Sequence, residues 1–273
     1  MKNILIFNDI SGLGNNSMLA NITVFTHLGH YCMPVPTACY SCHTGFDNFT
    51  AVKNTDTVDF ARRISANAQA DALYVGFCND TETLKGVQTV LESVLPQDVY
   101  KFVDPIMGDN GRLYPVFDDS YVTAMKSVVR RADCITPNLT EACLLAGIDY
   151  DEVVSHESNP TYLHYCGQIF ADFLQKTGAK QAVITGIKCG NSIGNIVLDG
   201  KEIFYVTNER TDVDFSGTGD VFSSVVLGEI LNGVSLKRAT VIAAQFVGNS
   251  AKFTDRQDRR FGIDFCKLLN ELR

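Results

Sequence analysis

The 273-residue chain carries 23 Lys and Arg against 31 Asp and Glu, a formal net charge of −8, with 45% hydrophobic and 20% charged residues. The acidic balance argues against sequence-independent binding to nucleic acid or to anionic membrane surfaces, both of which need clustered cations. The apolar share excludes a disordered chain, and no Pro-, Ser- or Gly-rich linker divides it, so residues 1–273 are expected to form one domain. The first apolar run, Ile4 to Phe7, reads as a buried strand leading through Gly12 and Gly14 into a helix from about Ser17 to Leu28. That run is too short for a signal peptide and no stretch approaches a membrane span. A cytoplasmic protein is therefore expected, with its nine cysteines reduced and no structural disulfide.

Tyr74 to Phe77 reads as a second strand, followed by a helix over Thr81 to Leu95. There Leu84, Val87, Val90, Leu91 and Val94 recur at helical spacing behind Asp80 as a cap. Further strands are expected at Tyr100 to Val103, Cys134 to Thr136 and Gln181 to Ile184, each before a loop and a helical segment, and this alternation predicts a parallel sheet. Gly194 to Val206 instead reads as an antiparallel hairpin turning at Asp199-Gly200. Helices starting near Gly219, running from Ser235 to about Lys252, and lying around Ile263 to Leu272 complete a three-layer α/β/α sandwich. Ligands of such sheets bind beyond the carboxyl ends of the strands, so the chemistry is expected in the loops that follow them.

Three of those loops carry chemistry-bearing residues. Asp214-Phe215-Ser216-Gly217-Thr218-Gly219-Asp220 runs into an apolar helix. Its glycines permit close backbone approach, and the amides opening the helix suit a transferring phosphate, with Asp220 at the mouth. An ordinary Gly turn with Asp in the first helical turn has the same local pattern. Val103-Asp104-Pro105-Ile106-Met107-Gly108-Asp109-Asn110-Gly111 places two carboxylates at the same edge, either to hold Mg²⁺ and its waters or simply as a polar turn. In Thr136-Pro137-Asn138-Leu139-Thr140-Glu141, Thr140 is expected to cap the next helix while Asn138 and Glu141 offer hard oxygen ligands.

Together these segments resemble the ribokinase-like superfamily, and more closely its pyridoxal kinase branch, over nearly the full chain. The resemblance implies that Asp220 is the catalytic base and that the amides of Gly217, Thr218 and Gly219 form the anion hole. Asn138 and Glu141 match an Asn-x-x-Glu metal motif. Asp104 and Asp109 fall in a segment similar to the family's Asp-Pro-Val-Met-Gly near the nucleotide phosphates, and Thr185-Gly186 resembles its strand-end Thr. ATP contacts are thereby implied for Asp104, Asp109, Asn138, Thr185 and Gly186, and Mg²⁺ contacts for Asp104 and Glu141. On the acceptor side, His43 and Thr44 match the vitamer-lining Ser-Asn-His-Thr segment, with Cys42 in place of its Asn. Asn8 and Asp9 stand where many members have Ser-His, and Phe77 where a Tyr is frequent. The implied activity is ATP-dependent phosphorylation of the 5′-hydroxymethyl of pyridoxal, extending to pyridoxine and pyridoxamine, with Mg²⁺ and a monovalent cation such as K⁺, in a homodimer.

Other readings stay open or fall away. A hydroxymethylpyrimidine kinase shares the superfamily fingerprint and typically carries an Asp where Asp9 stands, and a non-catalytic ligand-binding relative would not need Asp220 as a base. Cys39-Tyr40-Ser41-Cys42-His43 has haem-attachment spacing but no second Cys pair beside it. Gly12-Leu13-Gly14 lacks the third glycine of a dinucleotide fingerprint, and no P-loop motif occurs.

Overall fold

Residues 1–211, 214–255 and 258–272 are described by the computed structural model. In its first half, β1 (Asn3–Ser11), α1 (Ser17–His27), β2 (Tyr31–Tyr40), β3 (Ala51–Lys53), α2 (Thr57–Ser65), β4 (Ala72–Val75), α3 (Thr81–Ser93) and β5 (Tyr100–Val103) follow one another. A small hairpin, β6 (Gly108–Asp109) and β7 (Arg112–Leu113), precedes α4 (Asp119–Val129), β8 (Cys134–Ile135) and α5 (Leu139–Ala146). Three short helices, α6 (Tyr150–Val154), α7 (Tyr162–Ile169) and α8 (Phe173–Thr177), lead to β9 (Gln181–Cys189), β10 (Ser192–Asp199) and β11 (Glu202–Glu209). Then come α9 (Thr218–Leu231), α10 (Leu236–Phe253) and two 3₁₀ segments, Arg259–Phe261 and Cys266–Leu272.

The strands form a nine-stranded sheet in the order β11-β10-β9-β8-β5-β4-β1-β2-β3. The run from β9 to β2 is parallel; β10, β11 and β3 are antiparallel to their neighbours. Alternating side chains divide between two cores. Leu5, Phe7, Leu73 and Val75 face the side covered by helices such as α3, α4 and α5, while Ile4, Ile6 and Tyr74 face α1, α9 and α10. Burial on both faces is why Ile4 to Phe7 is uninterruptedly apolar.

The predicted α3 is present, and the Asp80 carboxylate caps it by accepting from the Thr83 amide at 2.9 Å. Other elements differ from expectation. The second strand ends at Val75, leaving Gly76 and Phe77 in the loop. The expected two-stranded hairpin is a three-stranded meander, because β9 also pairs antiparallel with β10. The helix expected around residues 263–272 is a 3₁₀ segment, Cys266–Leu272, docked through the buried Ile263 and Phe265. β2, which is not among the expected strands, carries Pro34 and Pro36, residues that are unusual in an inner strand. Its Tyr31 amide donates to the Lys2 carbonyl on the β1 side. The even-numbered residues therefore point the other way, where β3 pairs only with Ala38 to Tyr40, so neither proline removes a ladder bond. Among the described residues no helix is long and apolar enough to cross a membrane.

Candidate active site

The glycine-rich turn adopts a shape that its sequence requires. Gly217 caps α9 at φ +76, and a Cβ there would press into the Asn15 carbonyl oxygen and stand 2.9 Å from Asn16 Cβ. A Cβ on Gly219 would meet nothing within 4 Å, so the space before the helix entrance is open. Asp220, in the first turn of α9, folds back so that Oδ2 accepts from the Ser17 amide at 2.9 Å and Oδ1 from Asn8 Nδ2 at 3.3 Å. Its carboxylate thus lies at the first turns of both α1 and α9, whose dipoles favour the charged form. Burial outweighs them: it pushes the carboxyl up to about 6, with the Ser17 N–H pulling down, the Asp9 charge pushing up and Asn8 pulling down. A buried base near neutrality is well matched to taking a proton from an alcohol as it reacts.

Asn8 is placed behind Asp220 rather than before a ligand. Its Nδ2 also donates to Asn21 Oδ1 at 2.7 Å, and its Oδ1 accepts from the Asp9 and Phe77 amides, both at 2.9 Å. All its bonding positions are filled and it is wholly buried. Gly76 makes this possible, because any Cβ there would strike the Asn8 amide group. Asn21 continues the chain to Ser224 Oγ at 2.8 Å. Asp9 accepts from Ser11 Oγ at 2.9 Å, and burial raises its carboxyl. The half-buried Phe77 ring lies edge-on to Tyr40 at 6.3 Å and tilted to Phe117 at 5.6 Å, an aromatic wall at the ends of β2 and β4. His43 accepts from the Gly45 amide at 3.1 Å through Nδ1, and burial lowers its pKa. Thr44 is exposed on the same loop.

Beyond β5 and β8 stand two further buried carboxylates. Asp104 accepts from Thr136 Oγ1 at 3.0 Å and from the Tyr74 hydroxyl at 3.5 Å; Tyr74 also contacts Ser223 Oγ on α9 at 2.8 Å. Burial, then the charge of Asp220, pushes Asp104 up to about 8. Glu141 accepts from the Asn138 amide at 2.8 Å and the Met107 amide at 3.0 Å, and burial with the charge of Asp104 holds it well above the carboxylate range. Asn138, not Thr140, caps α5, in a capping box with Glu141. Thr140 Oγ1 instead accepts from the Gly111 amide at 2.9 Å and anchors the β6–β7 hairpin, whose turn has Asn110 at φ +51 and Gly111 at φ +77. Asp109 is exposed, and its carboxylate accepts from the Asn110 amide and side chain within that turn, both at 2.8 Å. Asn138 also bridges to Thr185, whose amide donates to the Pro137 carbonyl at 2.8 Å, and Gly186 follows at φ +73 beside open space.

With that geometry in place, comparison with known proteins is decisive at the level of the family: the profile of the phosphomethylpyrimidine kinases matches residues 14–262. The chain belongs to the phosphomethylpyrimidine kinase family. A pyridoxal kinase of Arabidopsis thaliana is 28% identical over 235 residues, covering 79% of this chain and 69% of the relative. A hydroxymethylpyrimidine/phosphomethylpyrimidine kinase of Bacillus subtilis (strain 168) is 24% identical over 252 residues, covering 88% and 86%. A candidate phosphomethylpyrimidine kinase of Bacteroides thetaiotaomicron VPI-5482, crystallised with pyridoxal, is 30% identical and superposes with a TM-score of 0.85, covering 99% of this chain and 95% of that one. The architecture is the ribokinase-like fold, and the chain is a kinase of this family.

A kinase of this family needs a cation to offset phosphate charge, and the donor set fits one. Asp104 and Glu141 are buried without an ion pair to Lys or Arg among the described residues, which leaves their ionisation uncompensated. No cluster of three His, Cys, Asp or Glu is assembled among the described residues; Mg²⁺ in nucleotide sites is commonly held by one or two carboxylates together with the substrate phosphates, a demand that two carboxylates can meet. Metal-free protein should accordingly lose stability as pH rises. Folded Asp104 keeps its proton up to about 8, whereas the unfolded group releases it near 3.8, so its contribution is complete below the lower value and gone above the upper. Thermal melts between pH 5 and 8 should show a falling midpoint whose slope Asp104→Asn flattens; equal slopes in both proteins would refute this.

Several working residues carried no signal in the sequence motifs. Ser17 acts through its backbone at φ +51, which nothing in its neighbourhood announces. Tyr74 was legible only as a strand residue, although a buried hydroxyl must find a partner. Asn21, wholly buried among Met18, Val24 and Phe25 on α1, is the polar exception that could have flagged the network.

Proposed function

We propose that this kinase transfers the γ-phosphoryl group of ATP to the 5′-hydroxymethyl of pyridoxal. The observation that carries the reading is the buried Asp220 carboxylate, near neutrality, held by Ser17 and Asn8 beside an open glycine-lined helix entrance. Asp220 takes the hydroxymethyl proton as that oxygen attacks phosphorus and the bond to the ADP oxygen breaks in line. The amides of Gly217, Thr218 and Gly219 hold the transferring oxygens. Asp104 and Glu141 would hold Mg²⁺, which when bound would neutralise charge on the phosphates. Asn138, Thr185 and Gly186 line the phosphate side, with Asp109 at the rim, and Phe77, His43 and Thr44 contact the acceptor ring. Asn8 is a positioning residue for Asp220.

Pyridoxal is favoured as acceptor because it was bound by a relative 30% identical across nearly the whole chain. Hydroxymethylpyrimidine is the second reading, supported by the Bacillus subtilis relative and by the acid at Asp9. A coupled assay of ADP release should give pyridoxal a kcat/KM at least about tenfold above hydroxymethylpyrimidine, and no turnover after chelation. The reverse ranking assigns the site to the pyrimidine. Binding of either acceptor with no ADP release would identify a non-catalytic relative.

A further inference from the structure

After α10 the chain returns to the site and touches three of its loops from one short turn. Arg259–Phe261 is closed by Gly262 at φ +79 and ψ 179, a backbone region that is essentially glycine's alone. Toward the loop before α1, the Asn15 amide donates to the Phe261 carbonyl at 2.9 Å and Asn15 Nδ2 to the Ile263 carbonyl at 3.1 Å. Toward the anion hole, the Ser216 amide donates to the Arg259 carbonyl at 3.2 Å. Toward the loop carrying His43 and Thr44, the Arg260 guanidinium lies over the Phe46 ring at 4.6 Å and 4.0 Å from Asp47, while the Phe46 and Phe261 rings meet edge-on at 5.2 Å. The His43 amide closes the circuit by donating to the Leu13 carbonyl at 2.9 Å.

The fit at the centre is tight. A Cβ on Gly262 would stand 3.0 Å from the Asn15 carbonyl oxygen and 3.1 Å from that of Ser216. Arg260 is itself held rigid, with Nε 2.9 Å from Asp258 Oδ1 and Nη2 2.8 Å from Asp258 Oδ2, a fork geometry that a Lys cannot reproduce. These ion pairs are largely exposed, where such pairs contribute little to global stability. Their consequence is local, because a stacked and forked Arg fixes where Phe46 and its loop can lie.

We propose that residues 260–262 are a clasp that positions the acceptor loop, residues 43–47, against the glycine-rich phosphate loop, and that Arg260 is a positioning residue for acceptor binding. The second clause rests on the reading of His43 and Thr44 as acceptor contacts; the first does not. Hydrogen exchange and steady-state kinetics on the intact Arg260→Ala protein separate the two. The amides of His43 and Phe46 should exchange about tenfold faster while those of α9 and the melting temperature stay at wild-type values. Acceptor KM should rise about five- to tenfold with kcat and the KM for ATP within about twofold, and Arg260→Lys should restore little of it. Loop amides exchanging at the wild-type rate would overturn the clasp, whatever the activity. So would a loss shared equally by kcat and both KM values with a lower melting temperature, which marks a merely structural residue. If wild-type protein turns over neither acceptor, the functional reading fails on its own and the exchange rates alone decide the clasp.

Discussion

Asp220→Asn is expected to lower kcat by about 10²–10⁴-fold, the range typical of losing a general base. The amide keeps the size of the carboxyl and can still accept from the Ser17 N–H, as Oδ2 does at 2.9 Å. Its new NH₂ would meet Asn8 Nδ2, which now donates to Oδ1 at 3.3 Å, and Asn8 cannot turn because its oxygen already serves the Asp9 and Phe77 amides. Against that mismatch stands the removal of a buried carboxyl that burial makes hard to ionise, so the net change in stability should be within about 1 kcal/mol. If Asp220 were only an acid favouring a helix N-terminus, Asn would be nearly equivalent and the rate would hardly move. The pH profile adds a second discriminator. A base must be deprotonated to act, so wild-type kcat/KM should climb as pH rises through about 6, and the variant should lack that limb. Turnover within about threefold of wild type would remove Asp220 from the catalytic role.

The legible parts of this fold are those where one physical demand dominates the sequence. Ile4 to Phe7 is buried on both faces and reads as a strand with no ambiguity, and α3 shows its apolar face at helical spacing behind a capping Asp. The Gly217 to Asp220 turn was readable because an αL cap and an open approach both require glycine. What was not legible depends on partners distant in sequence. Pro34 and Pro36 are compatible with β2 only because the even-numbered side of that strand faces an open edge, a property of the sheet order. Asn110-Gly111 is a favoured hairpin dipeptide, but its two-residue strands are too short to show alternation. Thr140 was the cap expected for α5, and Asn138 takes that place because Glu141 reaches back to the Asn138 amide. Asn8 shows the same limit at the site. Its place at the end of β1 was evident, but whether it faces a ligand or supports Asp220 is decided by Gly76 and Asn21, both distant from it in sequence.

The two glycines of the helix entrance should respond oppositely to the same added methyl. Gly217→Ala places a Cβ against the Asn15 carbonyl oxygen, a backbone atom that cannot swing aside, at a φ of +76 that L residues adopt reluctantly. Strain and overpacking together should destabilise the protein by about 2–3 kcal/mol, and displaced anion-hole amides should lower kcat about a hundredfold. Gly219→Ala meets no atom and replaces the poorest common helix former inside the first turn of α9, so the protein should be as stable as wild type or more so by about 0.5 kcal/mol. Its methyl nevertheless enters the space through which a phosphate must approach the amides, and the KM for ATP should rise about tenfold or more. A stability gain joined to a kinetic loss cannot come from general damage to the fold, so the pair separates a phosphate cradle from an ordinary glycine turn. Wild-type kinetics in Gly219→Ala would mean that no phosphate approaches α9 at that point, and the anion hole would have to be sought elsewhere.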